Sequence, residues 1–429
     1  MHDLLFKLQA SLSPLLAQLE AFLPGWLSHP DVWKYASIPV LAGIVGWATN
    51  WAAIELTFKP LRFIGIRPFL GWQGIIPAKA GRMATIFVDS TMSKLGTLPE
   101  LFQQMEPDKI AAQIVRVMQP RLPRYTDEIM FRKNDAVWRA TPAPVKARIY
   151  ARVQEGLPLL VDALMTEASE RIEELVDFKH MIVTRLETDR ALLNRLFQES
   201  GEAEFRFIVR SGLYFGFLFG LVQLVVWIVY PAGWVLPAFG ALVGYATNWI
   251  ALNVIFRPLR PRRIGPWVVQ GLFLRRQKEV ASVWCQLVTT EIVNVRSIIR
   301  TMMEGARSEH THELVRRHMQ PLVDRAIAGF ELPVELTMGR ESLDSVRDAV
   351  GQRSIELGTK PFEDWHFNHE RSALVESLLR ERMVSMPPED FQDLLRPCFQ
   401  EDELKLILVG AVLGLLAGLT QLFVVFGGG

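Results

Sequence analysis

Two kinds of segment alternate along the chain. In residues 36–58, 205–230, 233–256 and 405–426 apolar residues occupy every face over the roughly twenty positions that cross a hydrocarbon core of about 30 Å. Four such blocks predict four transmembrane helices. Only Pro231-Ala232-Gly233 separates the middle two, which predicts a tight helical hairpin. The intervening segments, 59–204 and 257–404, follow a different pattern. Stretches such as DKIAAQIVRVMQPRL, beginning at Asp108, return to an apolar residue every three or four positions, the period of an amphipathic helix. No alternating Val/Ile/Thr runs bounded by Gly-Asn turns are seen, so no strands are expected. Pro99, Pro107, Pro120, Pro123, Pro142 and Pro144 divide the first segment into several helices, and Pro333, Pro387 and Pro388 cut the second. Residues 1–35 read as an N-terminal amphipathic segment. Asp3 stands where a cleavable signal carries positive charge, and Gln9, Ser11 and Ser13 interrupt the apolar run.

The pattern repeats. GWATNWAAIELTFKPLR begins at Gly46 and GYATNWIALNVIFRPLR at Gly244, an offset of 198 residues, and most of the seventeen positions agree. At the same offset, Gly212, Gly216 and Gly220 of the second block recur as Gly410, Gly414 and Gly418 of the fourth, each ladder followed by a Gln-Leu pair. Gln73-Gly74 recurs as Gln270-Gly271, and Met118-Gln119-Pro120 as Met319-Gln320-Pro321. Each unit holds two spans, so both copies keep one topology. The expected fold is an all-α polytopic membrane protein with four transmembrane helices and two large cytoplasmic helical segments, arranged as a tandem parallel repeat.

Charge then orients the chain. Lys59, Arg62 and Arg67 follow the first span, Arg206 and Arg210 open the second, Arg257, Arg260, Arg262 and Arg263 follow the third, and Lys405 precedes the fourth. The hairpin tip and the tail carry no charge. By the positive-inside rule both long segments face the cytoplasm, with both termini outside it. The whole chain has 429 residues, 50% of them apolar, and a net charge of +1, which gives no reason to expect nucleic acid as a partner. Cys285 and Cys398 have neither metal-type spacing nor a disulfide framework.

Three motifs are candidates for function. Thr49-Asn50 and Thr247-Asn248 are polar pairs inside apolar runs. Asn50 lies nine residues before Lys59, roughly 13 Å into the bilayer at about 1.5 Å per residue. Gly43, Gly46, Asn50 and Ala53 share a helix face, so the Asn either holds helices together, through the other Asn or a carbonyl, or lines a substrate or ion site between the repeats. Glu55 is in reach of Lys59 at i+4. The glycine ladders, residues 212, 216, 220, 410, 414 and 418, permit close backbone packing. The basic turns, with Lys59, Arg62, Arg257, Arg260, Arg262 and Arg263, and the following Lys79, Arg82, Arg275 and Arg276, set topology or bind anionic headgroups. His310, His312, His318, His366 and His369 form the histidine clusters, but no zincin pattern, phosphate loop or nucleophile elbow accompanies them. Neither catalysis nor a metal or cofactor is expected.

The run TNWAAIELTFKPLR and the later GWQGIIPAKAGRMA resemble the bacterial membrane family called domain of unknown function 445. The matching positions are Thr49, Asn50, Ile54, Phe58, Lys59, Pro60, Gly74, Ile76, Pro77 and Lys79. The second copy keeps Thr247, Asn248, Phe256, Arg257, Pro258 and Gly271, then departs at Phe273 and Leu274. The resemblance implies an inner-membrane protein with a large cytoplasmic helical part and carries no assigned activity. The expected role is a membrane-anchored helical scaffold that binds membrane phospholipids, an envelope protein partner or a second copy of itself. The alternative is a transporter or channel with a polar site at Asn50 and Asn248.

Overall fold

The computed structural model describes residues 32–66, 70–329, 339–393 and 403–427. Most of the N-terminal segment, Arg67, Pro333 and Cys398 lie outside the described residues. In chain order the principal elements of the first half are α1 (Val32–Phe58), β1 (Ile64–Ile66), β2 (Leu70–Trp72), α2 (Pro107–Met118), α3 (Leu122–Ala140), α4 (Ala143–Glu170) and α5 (Glu202–Val229). Those of the second are α6 (Val235–Phe256), β3 (Arg262–Ile264), β4 (Trp267–Val269), α7 (Val295–Glu304), α8 (Ser308–Ile327), α9 (Arg340–Leu357), α10 (Trp365–Ser385) and α11 (Glu403–Val425). The protein is all-α, and α1, α5, α6 and α11 are long and apolar enough to cross a membrane.

The chain divides into two compact units. One contains the four apolar helices and the turns at their ends, from residues 32–83, 193–280 and 386–427; the other is built from 84–192 and 281–385. In the first, α1 packs along α5 and α6 along α11, while α5 also meets α6 and α1 meets both α6 and α11. Ile38, Trp227, Val235, Leu236 and Leu422, one or more from each of the four helices, form a shared apolar cluster. The outward faces keep large apolar side chains exposed, among them Trp47, Trp51, Phe217, Leu218, Trp249 and Phe423. Such faces suit hydrocarbon rather than water.

Two strand pairs correct the expectation of a strand-free chain. β1 pairs antiparallel with β2 and β3 with β4, three residues in each strand. Runs this short show no readable alternation, so periodicity gives no sign of them. In the second pair the turn is Gly265-Pro266, with Gly265 at φ +61, a conformation glycine adopts without a Cβ clash.

In the second unit the two long polar segments fold together rather than separately. α4 from the first packs on α8 from the second, α8 on α9, α2 on α4, and α3 on α9. Helix starts follow the sequence closely. Pro99, Pro107, Pro123 and Pro144 occupy the first or second helical position, where a missing N–H costs nothing. Thr97 caps Leu98–Gln104 in a reciprocal capping box with Glu100, and Asn294 caps α7 by accepting from the Ser297 N–H at 2.8 Å. Pro158 and Pro321 instead sit inside continuous helices.

Cys285 is fully buried beside Met383, and burial pushes its thiol from the ordinary 9.0 to about 12. A neutral thiol is a poor nucleophile. Folded protein at pH 8 should therefore react with a maleimide at Cys285 far more slowly than protein in denaturant, whichever side of a membrane the residue occupies. Because the folded pKa is raised, the unfolded state releases this proton first as pH climbs. The stability linked to Cys285 is complete below about 9 and is lost between about 9 and about 12. Rapid labelling of the folded chain would show that the core around Cys285 opens readily.

Candidate functional site at the Thr-Asn motifs and basic hairpins

Where α1 crosses α5, the glycines bring backbone onto backbone. A Cβ built on Gly216 would stand 2.5 Å from the Ala42 carbonyl oxygen, and one on Gly220 would stand 2.5 Å from Pro39 Cα. The α6–α11 crossing repeats this, with Gly418 Cβ placed 2.5 Å from the Leu236 carbonyl oxygen and Gly414 Cβ directly against Gly240. No real Cβ tolerates such distances, so only hydrogen fits these positions.

The two asparagines seat at the ends of these crossings. Asn50 is fully buried and donates from Nδ2 to the Ile208 carbonyl at 2.7 Å, which also accepts from Ser211 Oγ at 2.9 Å. Its Oδ1 is buried and without a partner. Asn248 is also buried and lies over Gly410, whose added Cβ would come within 2.9 Å of Asn248 Cγ. Thr49 and Thr247 turn back to their own helices, bonding Gly46 O at 3.1 Å and Val243 O at 2.9 Å. Of the partners considered for Asn50, the structure gives the carbonyl rather than Asn248. The reason is steric: Gly212 and Gly410 leave room for an amide on the helix already packed against each Asn.

Each strand pair is fastened to the turn before it, and the first also to α1. After α1, Trp72 Nε1 donates to Leu56 O at 3.2 Å, Gln73 Nε2 to Leu61 O at 2.8 Å, and Gly74 N to Pro60 O at 2.9 Å. After α6, Gln270 Nε2 donates to Leu259 O at 3.3 Å and Gly271 N to Pro258 O at 3.0 Å. The recurring Gln-Gly pair is thus a clasp on a helix end, and Gly74 lies so near Phe58 that its Cβ would meet the carbonyl carbon at 2.7 Å. Asn194 completes the first clasp by donating to the Phe58 carbonyl at 2.6 Å, a group that the helix end leaves without an intrahelical donor.

The basic residues separate into distinct environments. Lys59 pairs with Glu55 at 3.1 Å, as their i,i+4 spacing allows. Arg260 pairs with Glu389 at 3.0 Å. Arg276 gives both carboxylate oxygens of Glu204 a bond of 3.0 Å, and Glu204 is only 3% exposed. A guanidinium held by a buried carboxylate is a structural cation, so Arg276 differs from its exposed neighbours in having a buried partner. Lys79 is half-buried, while Arg62, Arg82, Arg257, Arg262, Arg263 and Arg275 are exposed. Beside them Ile64, Ile66 and Val268 on the strands are more than half exposed.

His312, His318, His366 and His369 have ordinary partners. His318 Nε2 lies 2.9 Å from Glu167, which that bond and the neighbouring Arg317 and Arg171 hold down at about 2. His312 bonds the Met303 carbonyl, and His366 and His369 both pack on Trp365. Among the described residues no group of three or more His, Cys, Asp or Glu could hold a metal ion.

Ser211, Asn194 and Glu204 were missed by sequence reasoning. Asn194 had a signal, because buried Gln392 stands 198 residues later, at the repeat offset.

An all-α bundle of four apolar helices, locked by glycine crossings and flanked by basic strand pairs, defines an integral membrane protein. Comparison with known proteins agrees with that class. The chain is 21% identical to a UPF0754 membrane protein of Microcystis aeruginosa, over 92% of this chain and 98% of the relative. It is 40% identical over 72 residues to a UPF0754 membrane protein of Nostoc sp., a stretch that spans 16% of this chain and 17% of that relative. A 30% match over 141 residues links it to a UPF0754 membrane protein of Synechococcus elongatus, 29% of this chain and 33% of the relative. No family model matches the chain. The similarity is to bacterial membrane proteins whose names assign no activity.

Two mutational outcomes follow from these geometries. Gly216→Leu and Gly414→Leu should each force a helix pair apart and lower thermal stability in detergent; an unchanged melting profile for both would place the ladders toward lipid. In a double-mutant cycle, Asn50→Ala and Asn248→Ala should each cost about 0.6 to 1.7 kcal/mol. Their effects should add within about 0.5 kcal/mol because each amide serves a different helix pair. A coupling above about 1 kcal/mol would mean that the two share a bond.

Proposed function

We propose that this is a non-enzymatic protein of the bacterial inner membrane that holds anionic phospholipid headgroups at its two basic strand pairs. The observation that carries this reading is the combination of exposed arginines with exposed apolar strand residues, Arg62 with Ile64 and Ile66, and Arg262 and Arg263 with Val268. Cations at headgroup level gain about 1 kcal/mol each from an anionic leaflet, and neighbouring aliphatic side chains suit the acyl boundary. On this reading the chain is two fused copies of a unit like domain of unknown function 445. The helical unit faces the cytoplasm, both termini lie outside it, and the protein acts as a scaffold for lipid, an envelope partner or a second copy. The matching clasps and ladders at an offset near 198 residues support the duplication. A second reading, transport, draws on the unpartnered Oδ1 of buried Asn50, and solute flux in proteoliposomes tests it.

Native mass spectrometry of protein released from nanodiscs of mixed phosphatidylglycerol and phosphatidylcholine tests the lipid reading. The wild-type chain should retain phosphatidylglycerol preferentially. Arg62→Ala, Arg262→Ala and Arg263→Ala should each reduce that preference by about fivefold, with thermal stability unchanged. Equal retention of both lipids, or a triple variant that behaves as wild type, would leave the arginines with topology alone.

A further inference from the structure

The helical unit contains a partly open cavity of about 720 Å³ between α2, α3, α4, α7, α8 and α9. Its size falls in the range of ligand sites, roughly 300 to 1,000 Å³, and several times above the engineered apolar cavity of about 150 Å³ that takes benzene. Met118, Trp138, Leu157, Met165, Leu314 and Val350 typify a wall that is almost entirely apolar. Most of its few polar groups are engaged elsewhere, and the Tyr125 ring lies under the Arg353 guanidinium at 5.6 Å. Trp138 Nε1 and the Tyr150 hydroxyl both donate to Asp127, at 2.9 and 2.5 Å, so the indole presents carbon to the cavity. Thr126, Thr141 and Ser354 donate to carbonyls of their own helices. Arg353, at the edge, is neutralised by Glu128 and Glu356, each at 2.9 Å.

One wall residue differs. Thr311 is 1% exposed, and its hydroxyl has no hydrogen-bond partner. A buried hydroxyl without a partner is costly, and a ligand whose hydrogen-bonding end parts the side chains covering Thr311 would remove that cost. The engaged state of Arg353 argues against a charged end, since a carboxylate there would find its cation already held by two others. The remaining wall suits an aliphatic chain, and the same polypeptide carries four helices apolar enough to stand in a bilayer, where such chains are abundant.

We propose that this cavity binds a neutral single-chain lipid, an aliphatic chain ending in a hydroxyl or ester group, with Thr311 as its hydrogen-bonding partner. The site is separate from the headgroup contacts of the basic strand pairs and does not depend on them. Binding is recognition only, with no covalent step.

Photolabelling of the full-length protein in detergent tests it. The probe is a long-chain alcohol with a mid-chain diazirine; the competitors are monoolein, oleate and hexadecane. Labelled peptides should map to Ala143–Glu170 and Ser308–Ile327, and monoolein should displace the probe at lower concentration than oleate or hexadecane. Thr311→Val keeps the side-chain shape and removes the hydroxyl, so monoolein should compete about fivefold less well while hexadecane is unaffected. Ala326→Leu, which narrows the cavity, should reduce labelling. If that variant fails to fold, Thr311→Val and the order of competitors still decide the matter. Label confined to α1, α5, α6 and α11 would overturn the proposal. So would monoolein competition that Thr311→Val, at wild-type thermal stability, leaves unchanged.

Discussion

Close backbone approach within the bilayer is the constraint from which the rest of the membrane unit follows. Lipid tails are as apolar as leucine, so helices in hydrocarbon gain little from hiding apolar surface against each other. Association has to come from van der Waals contact and from hydrogen bonds that hydrocarbon cannot supply. Gly46 against Gly212, and Gly244 against Gly410, reduce the helix surface to backbone and let the pairs interlock. Once the backbones touch, an asparagine amide reaches a carbonyl on the facing helix, as Asn50 reaches Ile208. A bulkier residue at Gly212 would remove both the contact and the room for the amide.

The same economy governs the turns at the helix ends. A helix that ends near a bilayer surface leaves its last carbonyls without intrahelical donors. Here Asn194, Trp72 and Gly74 supply donors at or just beyond the end of α1, and Gly271 does so after α6. These bonds also tie down the short strands, beside or on which the exposed arginines lie. Cations on a backbone tied by hydrogen bonds lose less backbone entropy on meeting an anion than cations on a loose loop. This gives the lipid-binding proposal a physical footing beyond charge counting. It also explains why Arg276, tied to buried Glu204, differs from its neighbours.

The helical unit obeys another rule. Its helices are amphipathic and bury their apolar faces against one another, as helices in water do. Proline and cap signals placed several helix starts where the structure has them, because N-terminal geometry is decided by a few adjacent residues. Pro158 and Pro321 carried the same residue type inside helices that continue, since packing of α4 on α8 stabilises both. Local signals mark where a helix is able to start. They do not fix where it must stop.

The sequence alone determined the four spans, the all-α class, the helical character of the polar segments and the recurrence of short motifs at an offset near 198 residues. Each of these rests on composition and spacing over tens of residues, where an error at one position changes little. Tertiary structure decided what no spacing encodes. It assigned Asn50 to Ile208 rather than to Asn248, joined the two polar segments into one unit, and turned Gln73-Gly74 from a repeated dipeptide into a clasp. It separated paired from exposed arginines, and it left one unpartnered hydroxyl, Thr311, in the wall of an apolar cavity. These are meetings between residues far apart in the chain. Periodicity shows which face of a helix is apolar, but the partner of a polar group depends on which helix comes to lie against that face.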